Sequence, residues 1–453
     1  MKILSEFESL NISDQTIRAL IELGFKKMTT IQRISIPPGL EGLDVLGSAR
    51  TGSGKTLCFV VPVVEILCLH KWSSADPIGG CILCPVRELA IQIFDFTKNI
   101  CSKHIINVGV LIGGNKHKKA KNFSIIISTP GYLFHQMIID KTLNCDSLKI
   151  LAIDEADKIL DISFWKIINF MTRFLPKKKQ VLLFSATLNS KIRNIARLNL
   201  KTPVFCCLKT TNFFENYSKK PKLECDYNRV KHYVILLSYH EKINILFSFL
   251  KSHKMQKIII FLSTKKQAKF ISRLFMELNP DFSIFCAYGS MSQHKRINNF
   301  ITFNQSPKGF LFTTDLLARG LDFKSIDWII QLDCPQNIET YIHRVGRTGR
   351  FLESGKTILF LYHIESEFLK LLNQNLVKIY NVKINNKHIV SIQKKMEILL
   401  KKNNLYLFLA QNAFFSYARF IFFQKNKNFS DFIKFNWKKV ASSFGLNNFL
   451  FTF

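Results

Sequence analysis

The chain has 453 residues, too many for a single hydrophobic core, so two or three domains are expected. An apolar fraction of 47% excludes an intrinsically disordered chain, and 64 Lys and Arg against 32 Asp and Glu leave a net charge of +32. That excess points to an acidic partner, nucleic acid foremost, although a genome biased towards Phe, Ile, Asn and Lys codons would raise the lysine count as well.

The amino terminus, MKILSEFESL, meets Glu6 and Glu8 before any apolar core develops, so it does not read as a signal peptide. From Asp44 to about Leu208 short β-rich runs alternate with longer helix-like stretches: GCILCPV, FSIIIST, LKILAID and VLLFSAT are the clearest strands, and DVLGS is a short one. Continuous apolar runs between helices predict a parallel sheet covered on both faces. GCILCPV carries Cys81 and Cys84, but no second CxxC or His pair answers them. The pair reads as part of a buried strand, so no structural zinc is expected, and the eleven scattered cysteines suit a reducing compartment.

Residues 209–230 are polar, basic and weakly periodic, as in a linker. A second alternating block spans 231–375, with strands at KIIIFLS, FSIFCAY, GFLFTTD, DWIIQLD and GKTILFLY. Residues 376–453 are helical in pattern and crowded with Phe. Their most apolar stretch, 405–423, is interrupted by Gln411, Asn412, Ser416 and Arg419, which predicts a helix packed on a domain surface rather than in a membrane. The expectation is an α/β protein with a first domain over 1–208, a linker over 209–230, a second domain over 231–375 and a helical extension over 376–453.

Two stretches carry chemistry. In SARTGSGKTLCF, Gly52, Gly54, Lys55 and Thr56 lie between a short strand and a helix-like run. Glycines let backbone N–H groups curl around phosphate oxygens, and the helix amino terminus adds its positive end. Lys55 can reach the β- and γ-phosphates of a nucleotide, and the Thr56 hydroxyl can hold Mg²⁺. The usual motif begins with Gly where this chain has Ala49. About a hundred residues later, ILAIDEADKIL sets Asp154, Glu155 and Asp157 behind four apolar residues. Such carboxylates repel one another and resist burial, so they call for a positive charge, which Mg²⁺ carried with ATP supplies. Asp154 is then a metal-facing carboxylate, and Glu155 is placed to orient or activate the attacking water.

With DEAD at 154–157, the phosphate loop and SAT at 185–187, the chain resembles the DEAD-box ATP-dependent RNA helicases over residues 7–375 or so. The resemblance implies two tandem RecA-like parallel-sheet domains, with ATP and Mg²⁺ as cofactors. It implies a nucleotide site of Ala49, Arg50, Thr51, Gly52, Ser53, Gly54, Lys55 and Thr56, with Phe25 and Gln32 of GFKKMTTIQ reading adenine and Asp322 of RGLDF reaching the ribose. Metal contacts are implied for Thr56 and Asp154. In HRVGRTGR it gives Arg347 and Arg350 the role of arginine fingers, and it makes His343 a coupling residue towards Ser185 and Thr187. Taken alone, that arginine run would read as a solvated face.

The same resemblance assigns RNA contacts to Arg87, Gly113, Gly114, Thr129, Pro130, Gly131, Ser263, Gln293, Arg296 and Thr314. Recognition of this kind rests on phosphates and ribose hydroxyls and tolerates many sequences. The lysines of NKHKKAK, 115–121, would add long-range attraction, or form a solvated loop. Two positions depart from the family, which usually has Thr where Val86 stands and Arg where Tyr132 stands; both bear on RNA grip and neither on the phosphate chemistry.

Phrases such as VGVLIGGNKHK, IDWIIQLDCPQNIETYIHRVGRTGR and the tail from VKIYNVKINN onward resemble the nucleolar, ribosome-biogenesis branch of that family, nearest the helicases of small-subunit pre-rRNA processing. This implies a nuclear, nucleolar protein whose partners are pre-rRNA or small nucleolar RNA duplexes and pre-ribosomal proteins, with no membrane partner. Two other functions stand beside the helicase: a non-catalytic RNA-binding scaffold and a DNA-directed ATPase of the same architecture.

Overall fold

The computed structural model describes residues 6–49, 52–73, 75–113, 123–159, 162–186, 200, 202–207, 230–317, 320–349, 355–374, 377–385, 387, 389–424 and 435–447. The chain divides into two compact units, Met1–Lys219 and Lys220–Phe453.

The first unit holds seven parallel strands: β1 (Val45–Ser48), β2 (Gly80–Leu83), β3 (Val108–Leu111), β4 (Ile125–Ser128), β5 (Ile150–Ile153), β6 (Gln180–Ser185) and β7 (Val204–Cys207). Their order across the sheet is β3-β4-β2-β5-β6-β1-β7. The central strands β2, β4, β5 and β6 are buried at every residue, as apolar runs covered on both faces must be. The outer strands β3 and β7 are only partly buried, and their weaker apolar signal hid them in the sequence. Around the sheet lie α1 (Asp14–Glu22), α2 (Thr30–Leu40), α3 (Lys55–Leu69) and α4 (Arg87–Ile100). Ser13 caps α1, its side chain accepting from Thr16 N.

The second unit repeats the plan with β8 (Val230–Leu237), β9 (Lys257–Phe261), β10 (Ile284–Ala287), β11 (Gly309–Thr313), β12 (Trp328–Gln331), β13 (Gly355–Tyr362) and β14 (Ile379–Asn381), all parallel, in the order β10-β11-β9-β12-β13-β8-β14. Strand for strand this is the order of the first sheet. Its helices include α5 (Lys242–Ser252), α6 (Lys265–Leu278), α7 (Gln293–Gln305) and α8 (Ile338–Val345).

The tail, read as helical, begins instead with a strand. Ile379, Tyr380 and Asn381 pair with His232, Tyr233 and Val234 of β8 and occupy the place that β7 holds in the first sheet. A β-branched and an aromatic residue suit that edge, and three residues are too few for periodicity to register. Then follow α9 (Gln393–Lys402), α10 (Asn404–Phe422) and α11 (Trp437–Ser443). Met396, Leu409, Phe414, Tyr417, Ile421 and Phe444 join one core with Phe270, Ile271 and Leu274 of α6. Each such side chain contributes about 1.5–3 kcal/mol by leaving water. Polar ties accompany the packing: Thr264 Oγ1 and Ser416 Oγ are 2.8 Å apart, and Lys266 Nζ donates to Asn412 Oδ1 at 2.7 Å. Among the described residues no helix is long and apolar enough to cross a membrane.

Candidate nucleotide and nucleic-acid site

Among the described residues, every predicted site residue of the first unit except Phe25 and Gln32 stands at or just beyond the carboxyl end of a strand, where parallel α/β sheets open towards ligands. Ala49 follows β1 and donates from its backbone to Ser185 O at 3.1 Å, so the start of the phosphate loop is fixed to the end of β6. Gly52 and Gly54 adopt φ of 79° and 87°, and Gly54 caps α3 in the left-handed region that a side chain resists. Lys55 is the first residue of that helix and is 7% exposed. Its Nζ lies 3.4 Å from Oε1 of the buried Glu155. Residues a hundred apart in sequence are thereby joined, Thr56 beside them in the first turn of α3.

Asp154 follows β5 and its backbone N–H donates to Leu83 O at 2.9 Å. Its Oδ1 accepts from Glu155 N at 2.8 Å. Burial first, then the neighbouring Glu155 carboxylate, push the Asp154 carboxyl up to about 7, against the opposing pull of Lys55. Glu155 has φ of 48°, a conformation costly for a residue with a side chain and one that clusters at working sites. A buried acid pair of this kind, with a helix N-terminus and a lysine beside it, fits a divalent cation bound with a polyphosphate.

Gln32 ties the α2 segment to this centre. It is buried, its Nε2 donates to Gly54 O at 3.0 Å, and its Oε1 accepts from Thr29 N at 2.7 Å. Phe25 meets Phe96 of α4 edge to face at 5.7 Å. Arg50, Thr51, Gly114, Thr187 and Arg350 lie outside the described residues.

Among the described residues, Arg87 and the segment opened by Thr129 meet around Gly113. Arg87 opens α4 behind Val86; a Cβ added at Gly113 would stand 2.8 Å from Arg87 Nη2 and 3.6 Å from the Tyr132 ring. Thr129 accepts at its carbonyl from Tyr132 N and Leu133 N, opening the short helix Pro130–Phe134 with Gly131 in its first turn. Cys81 and Cys84 lie along and just past β2; burial pushes both thiols well above their ordinary pKa, and Cys84 Sγ donates to Val86 O and Ser128 O.

In the second unit Ser263 follows β9, Thr314 follows β11, and Gln293 and Arg296 open α7 beyond β10, so all four share one end of the neighbouring strands β10, β11 and β9. Ser263 N donates to Asp333 Oδ2 at 3.0 Å. Arg347 is buried, with Nη1 donating to Leu321 O beside Asp322 and Nε to His343 O at 3.3 Å. Sequence reasoning missed Arg344, which sits one residue past His343 on α8: its Nε and Nη2 reach Asp315 at 2.6 and 3.0 Å, while Nη1 donates to Asp333 O at 3.3 Å. It missed Lys242 as well, whose Nζ lies 3.2 Å from Asp333 Oδ1 and 3.8 Å from the centre of the Tyr362 ring. A lysine opening the helix after a first strand, and an aspartate closing a run such as DWIIQLD, were the available signals.

Two family models match the chain: DEAD/DEAH box helicase over residues 29–195 and Helicase conserved C-terminal domain over 241–352. The "Probable ATP-dependent RNA helicase ddx10" of Dictyostelium discoideum is 39% identical over 447 residues, covering 98% of this chain and 50% of the relative. The "ATP-dependent RNA helicase DBP4" of Mycosarcoma maydis is 38% identical over 451 residues, covering 98% and 48%. The chain thus spans about half the length of these relatives. Among solved structures, Mss116p (NTE and C-tail double deletion) bound to ssRNA and AMP-PNP is similar with a TM-score of 0.80 at 24% identity, over 98% of this chain and 91% of that one.

Proposed function

Because the chain belongs to the DEAD/DEAH box helicase family, we propose that it is an ATP-dependent RNA helicase, which unwinds or remodels RNA duplexes and ribonucleoproteins as ATP drives its two units to close. The observation that carries this reading is the buried Lys55–Glu155 approach of 3.4 Å, which unites the phosphate loop with the strand-end carboxylates.

Lys55 and the backbone donors of 52–56 bind the phosphates, and Gln32 and Phe25 receive the adenine. Asp154 and Thr56 hold Mg²⁺, which neutralises phosphate charge when bound. Glu155 orients the attacking water and accepts its proton, while Arg347 and Arg350 stabilise charge on the transferring phosphoryl group. Arg87, Gly113 and the Thr129–Gly131 turn grip RNA in the first unit, and Ser263, Gln293, Arg296 and Thr314 grip it in the second. The relatives' names as RNA helicases and the RNA-bound state of a structurally similar protein support the substrate class. The sequence likeness to the ribosome-biogenesis branch supports a nucleolar role on pre-rRNA or small nucleolar RNA duplexes.

The test is steady-state ATP hydrolysis with and without single-stranded RNA for the wild type and Glu155→Gln. RNA-stimulated turnover that falls by about 10²-fold or more in the variant is expected. Wild-type turnover at background while RNA still binds would replace the helicase with a non-catalytic scaffold, and equal stimulation by DNA would remove RNA as the substrate.

A further inference from the structure

A second cluster of ligand-type side chains lies away from the nucleotide site, where the far end of α3 meets the amino terminus of α1 and the turn after α4. Glu65 and Cys68 stand one helical turn apart on α3, and His104 comes from the 3₁₀ turn Cys101–Lys103 and its following residue. One ligand atom from each of these three lies within 4.8 Å of the others. In sequence Glu65 and Cys68 form the spacing Glu-x₂-Cys, and His104 lies 36 residues beyond Cys68. We propose that Cys68, His104 and Glu65 bind a Zn²⁺ ion, with the fourth position left to water.

The hydrogen bonds orient these groups as metal ligands are oriented. Thr16 Oγ1 donates its only proton to Glu65 Oε1, so it accepts from His104 Nε2, 3.0 Å away. The Nε2–H tautomer follows, and it leaves the lone pair of Nδ1 facing Cys68 Sγ at 3.2 Å. The thiol then donates to Nδ1, so loss of that one proton would leave a thiolate and an imidazole lone pair side by side, on a ring whose far nitrogen is already held. Glu65 is held likewise, Oε2 accepting from Ser13 N at 2.8 Å and Oε1 from Ser13 Oγ at 2.7 Å. Capping α1 needs only Ser13 and Glu65; the thiol and the imidazole are surplus to that role.

Thiolate, imidazole and carboxylate together select Zn²⁺ over Mg²⁺, which prefers oxygen ligands throughout. Binding exchanges the Cys68 thiol proton for the metal, giving a Cys68 S–Zn bond and one released H⁺, so affinity falls with falling pH. The ion would fasten the turn after α4 to α3, the helix whose other end is the phosphate loop.

The experiment uses the full chain without nucleotide, titrated with Co²⁺ as a coloured surrogate and then with Zn²⁺. Expected are a thiolate-to-cobalt charge-transfer band that saturates at one ion per chain, its displacement by Zn²⁺, and a rise in the thermal midpoint with Zn²⁺. Cys68→Ala abolishes the band. His104→Gln, which keeps a donor for Thr16 Oγ1, weakens Co²⁺ binding about tenfold or more while the metal-free melting curve stays unchanged. A wild-type chain that gives no thiolate band, or a band of unaltered strength in Cys68→Ala, overturns the proposal.

Discussion

Lys242 opens the helix after the first strand of the second unit and sets its Nζ 3.2 Å from Asp333, beyond the strand β12; Lys55 opens the equivalent helix of the first unit and reaches Glu155, beyond β5, at 3.4 Å. Since the two sheets share one strand order, the lysine–carboxylate pair occupies the same place in both folds. In the first unit glycines leave room beside the lysine for phosphate. In the second, the rings of Tyr362 and Tyr417 lie 3.8 and 5.5 Å from Lys242 Nζ, and Tyr417 comes from the carboxyl-terminal helix α10. Burial would strip the proton from Lys242, but Tyr362, Asp333 and Glu365 outweigh it and push its pKa up. Lys242 therefore stays charged and the contact serves structure: Asp333 also accepts from Ser263 N and, at its carbonyl, from Arg344.

Removing one member leaves the other charge buried alone. Lys242→Met is expected to destabilise the chain by about 3–5 kcal/mol, and the double variant with Asp333→Asn to recover much of that loss. Urea unfolding of the two single variants and the double measures the coupling. A Lys242→Met penalty under about 1 kcal/mol would refute a charged pair.

Gly54 leaves no space for a side chain. An added Cβ would stand 2.6 Å from Gln32 Nε2, in a backbone with φ of 87°. Gly54→Ala should cost about 1–3 kcal/mol in backbone strain and break the Gln32–Gly54 hydrogen bond. Nucleotide affinity is expected to fall about tenfold, the worth of one good hydrogen bond. Fluorescent-ATP titration of Gly54→Ala and Gln32→Ala reads this; unchanged affinity in both would sever α2 from the nucleotide site.

The Asp154 carboxyl, at about 7 in the fold against 3.8 for its ordinary value, keeps its proton in the folded chain after the unfolded chain has lost its own. The unfolded state binds fewer protons between those values, so this group takes stability away as pH rises from about 4 to 7. Asp154→Asn should therefore raise the thermal midpoint of the nucleotide-free chain at pH 8 and leave it nearly unchanged at pH 4. Melting curves at both pH values, without divalent cations, check the sign; a larger gain at pH 4 would contradict it.

Tyr132 stands where the family usually places Arg, beside Gly113 and Arg87. Tyr132→Arg should add one phosphate contact, tightening RNA binding several-fold at low salt and steepening the salt slope by about 1. Gly113→Ala, whose Cβ would press on Arg87 Nη2, should weaken binding at every RNA sequence alike. Filter binding across a salt series separates the two, and an unaltered slope in Tyr132→Arg would place that position away from the RNA backbone.

The sequence by itself determined the two parallel α/β sheets, the phosphate loop and the strand-end carboxylates. The signals there are local: apolar runs of strand length, glycines before Lys-Thr, and acids where burial would otherwise forbid them. The partly buried edge strands β3 and β7, the three-residue β14 and the start of β8 inside the supposed linker carry no comparable local signal, because pairing with a neighbour made them strands. Only tertiary structure decided that the tail belongs to the second unit's core, that Lys242 finds Asp333 across 91 residues, and that Cys68 faces His104 across 36. Each of those contacts joins groups distant in the chain, and their meeting is set by strand order and helix packing, which no stretch of sequence displays alone.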